Sequence, residues 1–372
     1  MTKKIGYLGP AGTFSEMAVL KSFSKDSNSL FSFPTIEAVF DAVSLKNVDI
    51  GVVPIENSYE GTVNETLDLL AYEYDLKIVG EVILPIKQNL LALPGTFMED
   101  ILHIVSHPQA LAQCRRYISQ KYPAAKQMTV PSTAEAAQTV SQGDNSWAAI
   151  GTLGAATAYG LEVLASDIND HPNNETRFLL LATEELPCDT DCKTSLLVNV
   201  LNKPGALLQS LKEFSLRGIN LTKIESRPAK TTLGDYLFFI DLDGHSQEPK
   251  IKDSIMEIAH IAQAVKVLGS YQAAKGQKGH KSVFDPSLDY LRQEVDIIDA
   301  QIIELLGRRT KIVEKIGIFK ENAGAVHDPK REQLILEKLS RLAEEKGFDK
   351  EVTKKVYQIL FQHFVSLQKA KK

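Results

Sequence analysis

Cysteine is scarce in this chain, with Cys114, Cys188 and Cys192 the three among 372 residues. Three thiols make no disulfide framework, and a reducing, cytoplasmic setting fits them best. Cys188 and Cys192 close a short polar stretch and are expected to be two loop thiols, because no second ligand pair follows at zinc spacing. Charge of one sign is lacking too. Lys and Arg number 42 against 47 Asp and Glu, and a formal net charge of -5 argues against a general nucleic-acid binder. No apolar run is long enough to span a bilayer, so no membrane partner is expected. The start, Met1 to Lys4, runs straight into a strand and shows no signal-peptide pattern. What is present is ordinary for a globular chain: 44% hydrophobic and 24% charged residues, at a length that suits two or three domains.

The rhythm of the sequence changes twice. Residues 1–185 alternate short apolar strands with helical stretches. Lys4 to Leu8, Asp49 to Val53, Leu76 to Leu84, Asn89 to Leu93, Ile101 to Val105 and Trp147 to Ile150 read as strands, which predicts an α/β fold with a largely parallel sheet in two small lobes. Residues 193–272 read βαββαβ, a small sheet with helices on one face. Residues 273–285 are rich in Gly and Lys, lack periodicity and form a plausible linker. Residues 286–372 read as all helix: Asp285 and Pro286 open one helix, Gly324 breaks it, a second begins near Asp328 and stops near Gly347, and a third runs from about Asp349 to Gln368.

In the first helix, Leu288, Leu291, Val295, Ile298, Ile302, Leu305, Arg309, Ile312, Ile316 and Phe319 alternate spacings of three and four, the seam of a helix packed against other helices. Arg309 interrupts an otherwise apolar line. A guanidinium cannot escape burial by losing its proton, so a helical core built around a small acidic guest is expected.

Polar clusters in the first segment sit where strands end. Gly9 to Glu16 follows a strand and opens a helix. Thr13 and Ser15 can cap that helix, whose free N–H groups attract anions. Glu56 and Asn57 close another strand, on the ligand-bearing edge of an α/β sheet. Ser106, His107 and Gln109 lie between a strand and a helix; Ser106 can equally be a cap and His107 a turn residue. Arg177, within Asn174 to Phe178, could grip a carboxylate through both nitrogens, although a lone Arg more commonly makes a surface ion pair.

Taken in order, Gly9 to Glu16, Ile55 to Ser58 with Gly61 and Val63, Ser106 to Leu111, and Asn174 to Phe178 resemble prephenate dehydratase and span nearly all of residues 3–182. The resemblance implies a two-lobed, periplasmic-binding-protein-like fold with its site between the lobes. It makes Thr176, Asn57 and Gln109 the catalytic candidates, and Thr13, Ser15, Glu56, Ser106, Arg177 and Phe178 the substrate-binding ones. Prephenate must lose CO2 and a ring hydroxyl, which is a poor leaving group until it receives a proton. A Thr hydroxyl is a weak acid, so Thr176 is expected to relay a proton or donate a hydrogen bond to the departing oxygen. Glu56 and His107 remain alternative proton sources.

Residues 193–272 resemble the ACT regulatory domain of prephenate dehydratases, through Asn202 to Leu208 and Glu225 to Pro228. By that resemblance Gly205, Ala206, Leu207, Leu208, Glu225, Ser226 and Arg227 bind phenylalanine between paired ACT domains and so inhibit the enzyme. Read without it, Gly205 serves a turn and Arg227 an ion pair. The helical end resembles the all-helical chorismate mutases over about residues 287–369. That implies Arg292 and Arg309 on the substrate carboxylates, with Arg292 reaching into a partner subunit's site. Lys320 and Gln368 would face the ether oxygen, and Asp328 and Glu332 the ring hydroxyl, with Arg331 nearby. Phe364 stands where many relatives carry Ser.

The expectation is therefore a bifunctional enzyme of phenylalanine biosynthesis. It would turn chorismate into prephenate and prephenate into phenylpyruvate, without metal or organic cofactor, as a homodimer or higher oligomer. A non-catalytic solute sensor, or a dehydratase with a purely dimerising helical tail, are the alternatives.

Overall fold

The structure is a computed structural model that describes residues 2–230, 235–274, 288–321 and 329–370. Two compact units result, Met1–Phe284 and Asp285–Lys372. The first lobe comprises β1 (Lys3–Leu8), α1 (Phe14–Ser22), β2 (Asn28–Phe33), α2 (Ile36–Ser44), β3 (Ile50–Asn57), β4 (Gly61–Thr62), α3 (Asn64–Asp68) and β5 (Lys77–Pro85). The chain then builds the second lobe from β6 (Asn89–Ala92), β7 (His103–Ser106), α4 (Pro108–Gln113), α5 (Arg115–Lys121), β8 (Lys126–Thr129), α6 (Thr133–Ser141), β9 (Trp147–Gly151), α7 (Leu153–Tyr159) and β10 (Glu162–Ala165). It returns to the first lobe as β11 (Glu175–Ala182). Hydroxyl caps start the helices that matter here: Thr13, Thr35, Ser132 and Thr152 each accept from the backbone N–H three residues on, at α1, α2, α6 and α7.

The largely parallel sheet expected from the sequence is mixed in both lobes. The first has the order β2-β1-β3-β11-β5, and β11 runs antiparallel to both neighbours because it re-enters from the other lobe. The second has the order β10-β6-β9-β7-β8, with β6 antiparallel to β9 and β10. Alternation along β11 divides its side chains between two cores. Phe178 and Leu180 pack with α1, while Leu179 and Leu181 pack with α2.

The third sheet consists of β12 (Cys192–Asn199), β13 (Leu221–Pro228), β14 (Tyr236–Asp243) and β15 (Ala264–Gln272), with α8 (Ala206–Leu216) and α9 (Pro249–Ile261). Its order is β13-β14-β12-β15, and every pairing is antiparallel. Leu196, Val198 and Ile240 face the helices, whereas Leu197, Phe239, Leu268 and Tyr271 join the core of the first lobe. The contact is backbone-close: a Cβ on Gly269 would lie 2.2 Å from the carbonyl oxygen of Ile78 on β5. Cys188 and Cys192, expected as loop thiols, are joined in a disulfide, since the turn between them brings their Cα atoms to 6.1 Å, within bonding range. Cys114 is free and buried.

The helical unit contains α10 (Leu288–Glu321), α11 (Pro329–Glu345) and α12 (Lys350–Ala370). Gly347, at φ +71, lies in the turn between α11 and α12, where a left-handed residue reverses the chain. The break at Gly324, residue Asp328 and most of the linker lie outside the described residues. Val295, Ile298, Ile302, Leu305, Ile312 and Ile316 are 42–59% exposed. Among the described residues, no helix is long and apolar enough to cross a membrane.

Candidate active sites

A cavity of about 840 Å³ opens between the lobes. Thr13, Ser15, Asn57, Gln109, Thr176 and Phe178, distant in sequence, all line it. At its centre Asn57 is fixed from both ends. Its carbonyl oxygen accepts from the backbone N–H groups of Tyr59 (2.9 Å) and Glu60 (3.0 Å). Its amide nitrogen donates to the Asn174 side chain (2.9 Å) and to Thr176 Oγ1 (2.8 Å). The two backbone donors set which way the amide faces, so nitrogen, not oxygen, meets Thr176. His107 caps α4: its Nδ1 accepts from Gln109 N (3.3 Å), which leaves Nε2 as the N–H end in the neutral ring. The rim is tight where the lobes meet. Thr152 Oγ1 donates to Gly12 O (2.6 Å), and a Cβ on Gly12 would come within 2.9 Å of Ala155 Cα.

Three expected binding residues are elsewhere. Ser106 is fully buried and donates to Ile150 O (2.6 Å), a tie between β7 and β9 that uses its hydroxyl. Glu56 pairs with Lys223 of β13 (3.0 Å). Arg177 points away from the cavity, as alternation on β11 requires once Thr176 and Phe178 face it, and pairs with Glu81 and Asp241. Burial by itself would pull the pKa of Arg177 down, but Tyr271, Asp241 and Glu81 more than reverse this, and it stays protonated. Sequence reasoning missed Glu60, Gln88, Gln113, Ser132, Thr133 and Glu135, which also line the cavity. The Ser132-x-x-Glu135 capping pattern was the available signal. Among the described residues the cavity's ionisable side chains are Glu60, His107 and Glu135, and neither Lys nor Arg lines it.

In the third sheet, Gly205 takes φ +84 at the start of α8, where no side chain caps the helix. Ala206 is buried, and Leu208 is 71% exposed. On β13 alternate residues turn toward the first lobe. Glu225 accepts from Thr62 Oγ1 (2.9 Å), and Arg227 pairs with Asp68 (2.9 Å), so both meet the dehydratase-like lobe rather than an open effector site. Ser226, between them, is exposed.

In the helical unit, Arg309 lies against three rings of α12. Its guanidinium carbon is 4.4 Å from the centroid of Phe364, 5.7 Å from Phe361 and 5.9 Å from Tyr357. One terminal nitrogen, Nη1, is buried without a hydrogen-bond partner among the described residues. Phe364, the departure from the expected Ser, supplies the nearest ring. Arg292 and Arg331 are exposed on α10 and α11, and Glu332 is half-buried. Asp328 and the side chains of Lys320 and Gln368 lie outside the described residues. Among the described residues, no cluster of side chains could hold a metal ion.

Three stretches of the chain match known families. Residues 5–186 match prephenate dehydratase, 194–260 the ACT domain and 291–369 chorismate mutase type II. The bifunctional chorismate mutase/prephenate dehydratase of Pseudomonas aeruginosa is 46% identical over 273 residues, 73% of each chain. The chain belongs to this family of bifunctional enzymes. The Aquifex aeolicus member is 42% identical over 271 residues, covering 73% of this chain and 74% of that one. The prephenate dehydratase of Arthrobacter aurescens, solved in complex with L-Phe, superposes with a TM-score of 0.70 at 35% identity and covers 80% of this chain and 99% of that chain. This bifunctional enzyme therefore rearranges chorismate to prephenate and converts prephenate to phenylpyruvate.

Proposed function

We propose that the inter-lobe cavity is the dehydratase site and that Thr176 donates to the departing ring hydroxyl. The observation that carries this reading is the Asn57–Thr176 hydrogen bond. Because Thr176 Oγ1 accepts from Asn57, its own proton is free for an acceptor in the cavity. His107 lines the cavity whereas Glu56 is engaged by Lys223, so His107 is the better-placed proton source, acting as the doubly protonated imidazolium, which gives up the bond from Gln109 N. The proton goes to the hydroxyl, water leaves, and the electrons of the C–CO2 bond complete the aromatic ring as CO2 departs. With no Lys or Arg among the described residues of the lining, the two carboxylates of prephenate rest on the N-termini of α1 and α6 with the hydroxyls of Ser15, Ser132 and Thr133, while Thr13 Oγ1 donates to Leu8 O and holds the cap. Gln109 and Phe178 shape the remaining walls. The test is Thr176→Ala: turnover of prephenate drops by about a hundredfold or more while the melting profile is kept. Near-normal turnover in that variant removes the role.

The mutase site is placed around Arg309, with Arg292, Lys320, Asp328, Arg331, Glu332 and Gln368 as its other members. The buried Nη1, unpartnered among the described residues, favours this over a merely dimerising tail, because it needs an acceptor and an anionic substrate supplies one. The rearrangement needs no nucleophile, only a held conformer and positive charge at the breaking C–O bond. Loss of chorismate turnover in Lys320→Ala is the expected result.

The exposed apolar residues of α10 call for a second copy of the chain, so the enzyme is read as a homodimer or higher oligomer. The functional divisions are residues 1–185, 193–272, the linker 273–285, and 286–372. Phenylalanine binds at Gly205 to Leu208 and Ser226 and inhibits the dehydratase, with Glu225 and Arg227 acting through their contacts on the first lobe. Inhibition of prephenate turnover by added phenylalanine tests this.

A further inference from the structure

Arg177 occupies the one position on β11 between two cavity residues, Thr176 and Phe178, and faces the other way. Its Nε lies 2.6 Å from Glu81 of β5, in its own lobe. Its other arms end on the ACT sheet. Nη1 pairs with Asp241 of β14, and Nη2 donates to the Tyr271 hydroxyl of β15 (2.9 Å). Tyr271 and Ser195 of β12 share a hydrogen bond of 2.7 Å, and Ser195 donates in turn to Asp241. Lys193 of β12 reaches Glu81 (3.2 Å), and the backbone N–H of Ala274, just past β15, donates to the same carboxylate (2.9 Å). Three of the four ACT strands thus converge on the back of the strand that carries Thr176. The side chains of Arg177, Glu81, Asp241 and Lys193 are at most 8% exposed, and their formal charges cancel.

Stability alone is a poor account of such a cluster, because well-packed apolar residues do as well as buried ion pairs or better. What a fork of fixed donors does supply is register. A guanidinium held by acceptors from two sheets allows one relative placement of β11 and the ACT strands. The cavity face of β11 is displaced whenever its back face is.

We propose that Arg177 is a positioning residue through which the ACT sheet sets the placement of Thr176 and Phe178, so that a change of state in the ACT domain reaches dehydration along β11. This rests on the reading of the cavity as the dehydratase site and of phenylalanine as its inhibitor. Dispersed strain through the shared apolar core would couple the domains without any special part for Arg177; the network makes the coupling specific to this residue and its neutral partner Tyr271.

The experiment compares the full-length wild type with Arg177→Lys and Tyr271→Phe, measuring kcat and KM for prephenate, the phenylalanine concentration for half inhibition, and the melting profile. Tyr271→Phe removes a hydroxyl and leaves every charge paired, so it keeps the fold in hand if Arg177→Lys does not fold. The expected result is a fall in kcat of about tenfold or more for Arg177→Lys with KM changed less than about threefold. For Tyr271→Phe a smaller fall in kcat is expected, with a change of about fivefold or more in the half-inhibiting concentration of phenylalanine. A wild-type kcat and wild-type inhibition curve in Tyr271→Phe overturn the proposal. So does a lowered melting temperature with unchanged kcat in both variants. A wild type indifferent to phenylalanine sinks the regulatory reading instead, and the kcat comparison then still decides whether Arg177 positions Thr176.

Discussion

The side-chain amide of Asn57 meets the hydroxyl of Thr176 at 2.8 Å, across 119 residues of sequence and two antiparallel strands. Thr176 pairs with Asn57 in the β3–β11 register, so the bond is built into the sheet rather than left to a loop.

Asn57→Asp tests the direction of that bond. It replaces the nitrogen facing Thr176 with a carboxylate oxygen, and the Thr176 proton turns toward the carboxylate and away from substrate. Dehydratase kcat is expected to fall by about 10²–10³-fold, the usual cost of losing one oriented donor, while chorismate turnover is retained. Steady-state kinetics on both substrates check this.

Gly269→Ala tests how closely the ACT sheet is seated. Its new methyl would fall 2.2 Å from the Ile78 carbonyl oxygen, a backbone atom that cannot swing aside. Overpacking of this kind costs about 1–3 kcal/mol or more. A lower melting temperature of the first unit is the expected outcome, with the helical unit unaffected.

Arg309→Met separates function from stability in the helical unit. Chorismate turnover should drop by about a hundredfold or more, since the charge that meets the substrate is gone. Thermal stability should hold or rise, because the variant removes a buried nitrogen, unpartnered among the described residues, from among three aromatic rings. Mutase assays paired with thermal unfolding give both numbers.

Alkali should loosen the first unit through its phenols. Tyr7 is pushed up to about 12 by burial and then by the Glu16 charge, and Tyr122 to about 12 by burial and then by Tyr117. Tyr74 also reaches about 12, chiefly through its hydrogen bond to Asp41. The fold favours the neutral phenol in each case. Their stabilising effect is therefore complete below the ordinary tyrosine value of about 10 and disappears as the pH climbs through about 12. Melting temperatures and tyrosinate absorbance followed together across that range should change together.

Much of this arrangement could be read from periodicity and end signals. The βαββαβ order, the three C-terminal helices and the hydroxyl cap of α1 depend on local chemistry that a sequence displays. Strands β2, β4, β8 and β10 were missed: β2 mixes Ser and Asn with its apolar residues, β4 has two residues, and every residue of β8 is exposed. Arg177 was misread for a different reason. Alternation says that Thr176 and Phe178 share a face and Arg177 has the other, yet which face meets the cavity depends on where the ACT sheet docks, and no single strand contains that. Ser106 and Glu56 failed likewise, since the Ile150 carbonyl and Lys223 that engage them lie far along the chain. The disulfide was missed because five residues of polar sequence do not reveal the turn they make.

The place of β11 also orders events at the ribosome. It fills the gap between β3 and β5, yet the whole second lobe is translated before it. Until residue 182 emerges, β5 has no partner in its sheet and the nascent first lobe carries two bare edges, a state that invites aggregation. The second lobe, whose strands are contiguous in the chain, can close by itself meanwhile. The order of synthesis thus leaves β5 waiting for β11, and a chaperone would find its client in the interval between the two.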